Sequence, residues 1–408
     1  MSRSSGPFRL VAPAGAPVPV RTVLRSVLPF AGHAEETLRR QLGVRHAFFV
    51  SSGRAALTVL LEAMQRDSKR REVVVPAYTC FSVPSAVARA GLTIRLCDVD
   101  PKTLDLDLNA LVRLDLTKAL CVVPSGLYGL PGDLAGMEGI ARRVGTSLVD
   151  DAAQCLGATL EGRRCGTFGD AGFYSLGRGK GITTMGGGVL VTQRDDLARA
   201  IERHLRALPR PRAREVLAAV AGSLAYSAML APSRYWLVDR VPFLELGGSH
   251  FEPGFAMTQL SSFQRRLTER LLPLVDSYNA VRRARAEALR SGIDGIEGIE
   301  VPRPLEGARP VYLRFPILTR DRTHRADLLA RLRAVGISAS ASYPTPAGDI
   351  PGIARYLAPD QQACPGAASV AARILTLPTH PGVTTGDVEQ MVAVIRDDRT
   401  PSRSGAHA

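Results

Sequence analysis

Disulfides, metal clusters, a secretion signal and a membrane span all lack support in this 408-residue chain. Its six cysteines, at positions 80, 97, 121, 155, 165 and 364, include no CxxC pair, and its seven histidines do not cluster. That pattern speaks for reduced thiols in a cytoplasm and against a zinc site. Residues 1–20 carry Arg3 and Arg9 but no apolar h-region, because prolines at 7, 13, 17 and 19 interrupt every candidate, so this stretch reads as a mobile or docking arm. The uncharged run from Val216 to Ala231 is shorter than the roughly 20 residues a spanning helix needs, and Pro232 and Arg234 close it. Aromatics make up only 5% of the chain and do not interleave with its scattered arginines, so the formal charge of +14 is not the footprint of a nucleic-acid-binding protein. The excess of 52 Lys+Arg over 38 Asp+Glu suits a diphosphate-bearing substrate or an anionic membrane surface, or is a solvated arginine-rich exterior.

With 45% hydrophobic residues and a mean hydropathy of +0.03, the chain can build one large core or two ordinary domains. Strand-like and helix-like stretches alternate from His46 to about residue 200, which predicts an α/β unit with a mostly parallel sheet and ligands gathered where strands meet loops. HAFFVSSGRAALTVLLEAM, from His46, reads as a strand, a Ser-Ser-Gly turn and a helix. The start of that helix offers N–H groups and a favourable dipole to an anion at Gly53 and Arg54, although an ordinary N-capped helix has the same pattern. Between Leu148 and Leu190 the chain reads LVDDAAQCLGATLEGRRCGTFGDAGFYSLGRGKGITTMGGGVL, an apolar strand ending in Asp150 and Asp151 and then a small-residue loop around Lys180. Flanked by Gly179 and Gly181, the Lys180 amine is accessible and suits Schiff-base chemistry once burial or nearby cations lower its pKa. A pyridoxal ring works as an electron sink while its nitrogen stays protonated, and a buried strand-end carboxylate, with Asp151 as the candidate, holds that proton.

VDDAAQ, GTFGDAGFYSL and GKGITTMGGG, in that order and spacing, resemble successive motifs of the DegT/DnrJ/EryC1/StrS family of pyridoxal-phosphate aminotransferases, over about residues 45 to 395. The resemblance implies the type I fold of pyridoxal-phosphate enzymes: an N-terminal arm (1–45), a large cofactor-binding domain with a mixed, mostly parallel sheet (46–275), a smaller α/β domain (276–396) and a disordered tail (397–408). It implies pyridoxal 5'-phosphate as cofactor and Lys180 as the catalytic lysine that carries it. Asp151 then faces the ring nitrogen, Gln154 the ring or its phenolic oxygen, and Gly53, Arg54 and Ser175 the phosphate, although Ser175 also fits a plain turn hydroxyl. Cys80 stands where the family stacks an aromatic on the ring, with Tyr78 and Phe81 as alternative stacking partners. Other departures from the family are Arg54 for Thr or Ser, Gly126 for His, Gly181 for Asn, Gly186 for Glu, and Gly254 and Ala256 for an Asn and Arg that reach a neighbouring subunit. The Tyr-Pro loop at Tyr343 also lacks the histidine that often follows it.

The activity so implied is amino transfer from glutamate or a similar donor to a nucleotide-linked keto sugar, in polysaccharide or glycoconjugate biosynthesis, by a cytoplasmic homodimer. A related sugar-dehydratase branch replaces the lysine by histidine, and Lys180 argues against it. A cofactor-binding regulatory or structural homologue is the other alternative, prompted by Gly181, Gly254 and Ala256. Residues from about 205 to 250 form an insertion relative to the family, and its apolar run lies beside Arg234, Tyr235, Trp236 and Arg240. That predicts association through residues 216–240, either between subunits or with the inner face of a membrane. In the C-terminal portion VYLRFPIL reads as a strand, RADLLARLRAVG as a helix, and ILTLPTHPGVTTGDVEQMVAVIR as strand, turn and amphipathic helix.

Overall fold

The computed structural model describes residues 9–29, 32–239 and 250–397; Arg3, Arg240 and the tail from 398 lie outside them. Seven strands, β1 (His46–Val50), β2 (Glu72–Pro76), β3 (Thr93–Cys97), β4 (Ala119–Val122), β5 (Ser147–Asp151), β6 (Ala171–Ser175) and β7 (Gly188–Thr192), form one sheet in the order β1-β7-β6-β5-β4-β2-β3. The strands from β6 to β3 run parallel, and β7 is antiparallel to both its neighbours. Parallel strands need both faces covered, and the side-chain alternation shows it: Val73 and Val75 of β2 enter one apolar core while Val74 enters the other. Each fully buried valine or leucine in these cores contributes about 1.5–3 kcal/mol.

Five helices bear on the site: α1 (Val20–Val27), α2 (Gly53–Gln65), α3 (Ala213–Met229), α4 (Pro232–Asp239) and α5 (Val275–Ile293). Ser52 caps α2 by accepting the Ala55 N–H at 3.1 Å. Here the chain has no room for side chains. A Cβ on Gly53 would lie 2.9 Å from the Ser175 Cβ, and one on Gly188 would lie 2.2 Å from the Ser52 carbonyl oxygen. The glycines thereby bring the start of α2 against the ends of β6 and β7.

A second, antiparallel sheet of β8 (Ile299–Glu300), β9 (Phe315–Thr319) and β10 (Ile374–Leu377) carries the helices Arg322–Ala334 and Thr385–Arg396. Its Ile317 belongs to the same apolar cluster as Val73 of the large sheet. The strand read from VYLRFPIL starts only at Phe315. Upstream, the Val311 N–H is held by the Gly129 carbonyl, the Tyr312 carbonyl accepts from Thr379, and Tyr312 turns into the left-handed region at φ 47°.

From residue 9 the N-terminal segment is docked rather than mobile. Val11 is fully buried, exchanges backbone hydrogen bonds with Gly336 and Ser338, and is preceded by an Arg9–Asp387 ion pair of 2.6 Å. His380, also fully buried, donates from Nε2 to the Ala12 carbonyl at 3.0 Å and accepts the Gly382 N–H at Nδ1. The bond accepted at Nδ1 needs the neutral ring, and burial pushes the imidazole pKa down to about 4. An imidazole whose folded pKa lies below its ordinary value of about 6.5 stabilises fully above that value, and the contribution fades as pH falls toward 4, because the unfolded chain takes up the proton first. Acidification from pH 7 to 5 is therefore expected to release residues 9–18 to limited proteolysis in the parent and much less in His380→Gln. Equal sensitivity in the two proteins would remove His380 as the cause.

The insertion packs on its own chain. The Tyr226 hydroxyl accepts the Ala16 N–H at 3.1 Å, the Pro232 carbonyl accepts the Leu10 N–H, and Leu230 and Tyr235 cluster with Leu10 and Ala12. Leu224 is likewise partly buried against the core. Among the described residues no helix is long and apolar enough to cross a membrane.

Candidate active site

A cavity of about 390 Å³ opens where the parallel strands end, and all seven residues singled out from the sequence line it: Gly53, Arg54, Cys80, Asp151, Gln154, Ser175 and Lys180. The chain has four lysines, at 69, 102, 118 and 180, and Lys180 alone lines the cavity. Ligands collect at this end of an α/β sheet because the loops there diverge around free strand termini.

Strand alternation separates the two carboxylates at the end of β5. Asp150 turns away from the cavity and accepts the Gly166 and Phe168 N–H groups, the latter at 3.3 Å. Asp151 faces the cavity, taking the Ala153 N–H at 2.9 Å and the Ser125 hydroxyl at 3.2 Å. Burial pushes Asp151 up to about 6, opposed by the Ala153 N–H, the charge of Lys180 and the Ser125 hydroxyl. Lys180 keeps one face on the cavity but is otherwise walled in. Burial holds its amine below the usual lysine range, with Cys80 and Asp151 opposing and Arg314 reinforcing.

Of the three stacking candidates Cys80 alone lines the cavity. Tyr78 is fully buried behind it, hydroxyl to hydroxyl with Tyr128 at 2.7 Å, and both Tyr78 and Phe81 pack on the Tyr343 ring. Tyr128 holds this arrangement from the left-handed region, at φ 59°, and donates its N–H to Gln154 Oε1 at 3.1 Å. Gln154 Nε2 points at the Tyr343 hydroxyl. Arg54 pairs with Glu252 at 3.0 Å and lies over the Phe255 ring, so its charge is already engaged. Ser175 accepts the Gly177 N–H at 3.3 Å, the turn-hydroxyl role, while also lining the cavity.

The cavity also takes Ser125, Arg178, His250, Glu252, Arg314 and Ser342, which sequence reasoning passed over. Arg178 stands two residues before Lys180, and Arg314 is a charge inside an apolar strand pattern; those were the available signals. The lysine loop is held from behind by Arg282 of α5, a fully buried guanidinium that donates to the Gly181 carbonyl at 3.0 Å, the Gly15 carbonyl at 3.2 Å and Asn279 Oδ1 at 2.8 Å. Burial pushes its pKa down to about 10. At Gly181, where the family has Asn, a Cβ would meet nothing nearer than the Leu156 Cβ at 3.6 Å, and at Gly254 it would meet open space.

These residues fit pyridoxal phosphate: a buried amine of lowered pKa, a carboxylate fixed by an N–H and a hydroxyl, and a helix start framed by Ser175 and Arg178 for an anion. Fold and site together define a pyridoxal-phosphate-dependent aminotransferase of fold type I. Residues 24–396 match the model of the DegT/DnrJ/EryC1/StrS aminotransferase family, and the chain belongs to that family. It is 27% identical over 355 residues to the UDP-N-acetyl-3-dehydro-alpha-D-glucosamine 3-aminotransferase of Acidithiobacillus ferrooxidans, covering 87% of this chain and 84% of that one. It is 30% identical to the L-glutamine:2-deoxy-scyllo-inosose aminotransferase of Streptomyces fradiae, with 89% and 84% covered. In fold it is similar to a DegT DnrJ EryC1 StrS aminotransferase from Brucella abortus (TM-score 0.72, 23% identity, 92% and 93% covered). It is similar also to PseC of Helicobacter pylori, an aminotransferase in pseudaminic acid biosynthesis (TM-score 0.77, 18% identity, 95% and 98% covered).

Proposed function

We propose that this chain transfers an amino group from an amino-acid donor to a keto sugar carried on a nucleotide, as a cytoplasmic homodimer. The observation that carries the reading is the placement of Lys180 and Asp151 on one cavity together with two guanidiniums, Arg178 and Arg314, that pair with no carboxylate among the described residues. Clustered arginines suit the oxygens of a diphosphate, which takes paired N–H donors. Pyridoxal phosphate, when bound, supplies the electron sink for the carbanion at the substrate's α carbon. Asp151 holds a proton at the ring nitrogen, and the lowered pKa of Lys180 leaves its amine able to attack a carbonyl carbon and to carry the proton lost from Cα. Gly53 and Ser175 receive the phosphate. The test is half-transamination of the purified protein with a panel of amino acids including glutamate and glutamine, followed by keto sugars offered to the aminated protein. Failure with every donor would favour a non-catalytic cofactor-binding role.

Support for the dimer comes from α1, whose Val20 and Leu24 are about half exposed, from Leu28 just past its end, and from Leu217 on the neighbouring α3, 69% exposed. Leu230, by contrast, is committed to the chain's own N-terminal segment. The double variant Leu24→Asp, Leu217→Asp is expected to sediment as a monomer. If it remains a dimer but stops co-sedimenting with anionic vesicles that the parent binds, the surface faces a membrane instead.

A further inference from the structure

A second cavity, of about 220 Å³, adjoins the first, and Arg178, Gly179 and Arg314 line both. The rest of its wall is apolar and comes largely from segments the aminotransferase chemistry leaves unused: Pro13 and Ala14 of the docked N-terminal segment, and Tyr226, Met229 and Leu230 of the insertion. Two small residues on α3, Gly222 and Ala225, keep the space open. Gly222 sits mid-helix, where glycine is the least favoured residue after proline, and a Cβ there would already stand 3.5 Å from the Met185 methyl, so a longer side chain would project into the chamber. The chamber is larger than the roughly 150 Å³ apolar cavity that admits the six carbons of benzene, room for a branch of about seven carbons. At the junction with the catalytic cavity, neither Arg178 nor Arg314 pairs with a carboxylate among the described residues; Arg314 donates to Ser342 Oγ at 3.4 Å.

We propose that this chamber is a subsite for a short apolar branch, alkyl or aryl, of the acceptor substrate, whose anionic group rests on Arg178 and Arg314 at the junction. The placement of the acceptor's carbonyl at Lys180 rests on the function proposed above, but binding in the chamber is measurable without it. The holoenzyme, titrated calorimetrically with methyl, butyl, heptyl and dodecyl phosphate below their micellar concentrations, is expected to gain affinity by up to about fourfold per buried methylene. Heptyl phosphate then binds at least about a hundredfold more tightly than methyl phosphate, and dodecyl phosphate no better than heptyl. Gly222→Leu and, independently, Ala225→Leu fill the space and bring heptyl phosphate back to the affinity of methyl phosphate, with thermal midpoint and cofactor absorbance reporting that each variant is folded. No gain from methyl to heptyl, a gain that continues through dodecyl as on an open greasy surface, or a gain that survives both filling variants would each overturn the subsite. A holoenzyme that shows the chain-length gain but never exchanges an amino group with any donor would refute the aminotransferase reading and leave the chamber standing.

Discussion

Lys180→Ala is expected to lose transamination by on the order of 10⁴-fold or more, because one substitution removes both the nucleophile and the group that carries the Cα proton. The cofactor-free variant should melt no lower than the cofactor-free parent, since the buried amine is held against its preference for charge and its removal relieves that cost. Single-turnover absorbance with glutamate measures the first effect and thermal unfolding the second. In the parent, borohydride reduction and peptide mapping should place the pyridoxyl label on Lys180. A label on Lys69, Lys102 or Lys118, none of which reaches the cavity, would end the assignment.

Asp151→Asn is expected to bind cofactor yet lose roughly 10² to 10³-fold in the half-reaction, the scale of removing one preorganised electrostatic partner. An amide fills the same space between Ala153 and Ser125 but offers the ring nitrogen no negative charge. Asp150→Asn should stay within a few-fold of the parent. That side chain faces the turn at Gly166 and Phe168, and burial already lifts its pKa to about 7, so its charge is partly suppressed near neutrality. Its expected cost is in stability, about 1 kcal/mol for weakened hydrogen bonds to two amides. Equal losses of activity in the two variants, or the reverse order, would show that the other carboxylate faces the ring.

The residues legible in the sequence are those whose geometry is local. Asp151 is set by its position at a strand end, Gly53 by a strand–turn–helix join, and Lys180 by its glycine neighbours, and in each case a few residues of context determine where the side chain goes. Strand periodicity even distinguishes Asp151 from Asp150 once the sheet exists. What stayed hidden depends on partners far along the chain. The docking of Val11 needs Gly336 and Ser338, and nothing in a proline-rich N-terminal stretch announces that. The insertion read as an association element because its composition is apolar, yet composition says only that Leu230 and Tyr235 want cover; that Leu10 and Ala12 supply it is a tertiary fact. Stacking at Cys80 was open for the same reason, since whether Tyr78 reaches the cavity is decided by Tyr128, fifty residues away.

Arg282 bears on the order in which the molecule can assemble. It is a buried cation without a carboxylate among the described residues, held by the carbonyls of Gly15 and Gly181 and by Asn279. Stripping water from a guanidinium is costly until such acceptors are all in place. The segment around Gly15 therefore has to wait for α5, made more than 250 residues later, before it can settle. The loop that carries Lys180 gains its final backing only at that moment, so catalytic competence marks the completion of the fold, and a chain stalled short of residue 282 would have every ligand-facing strand of its large sheet and no fastened lysine.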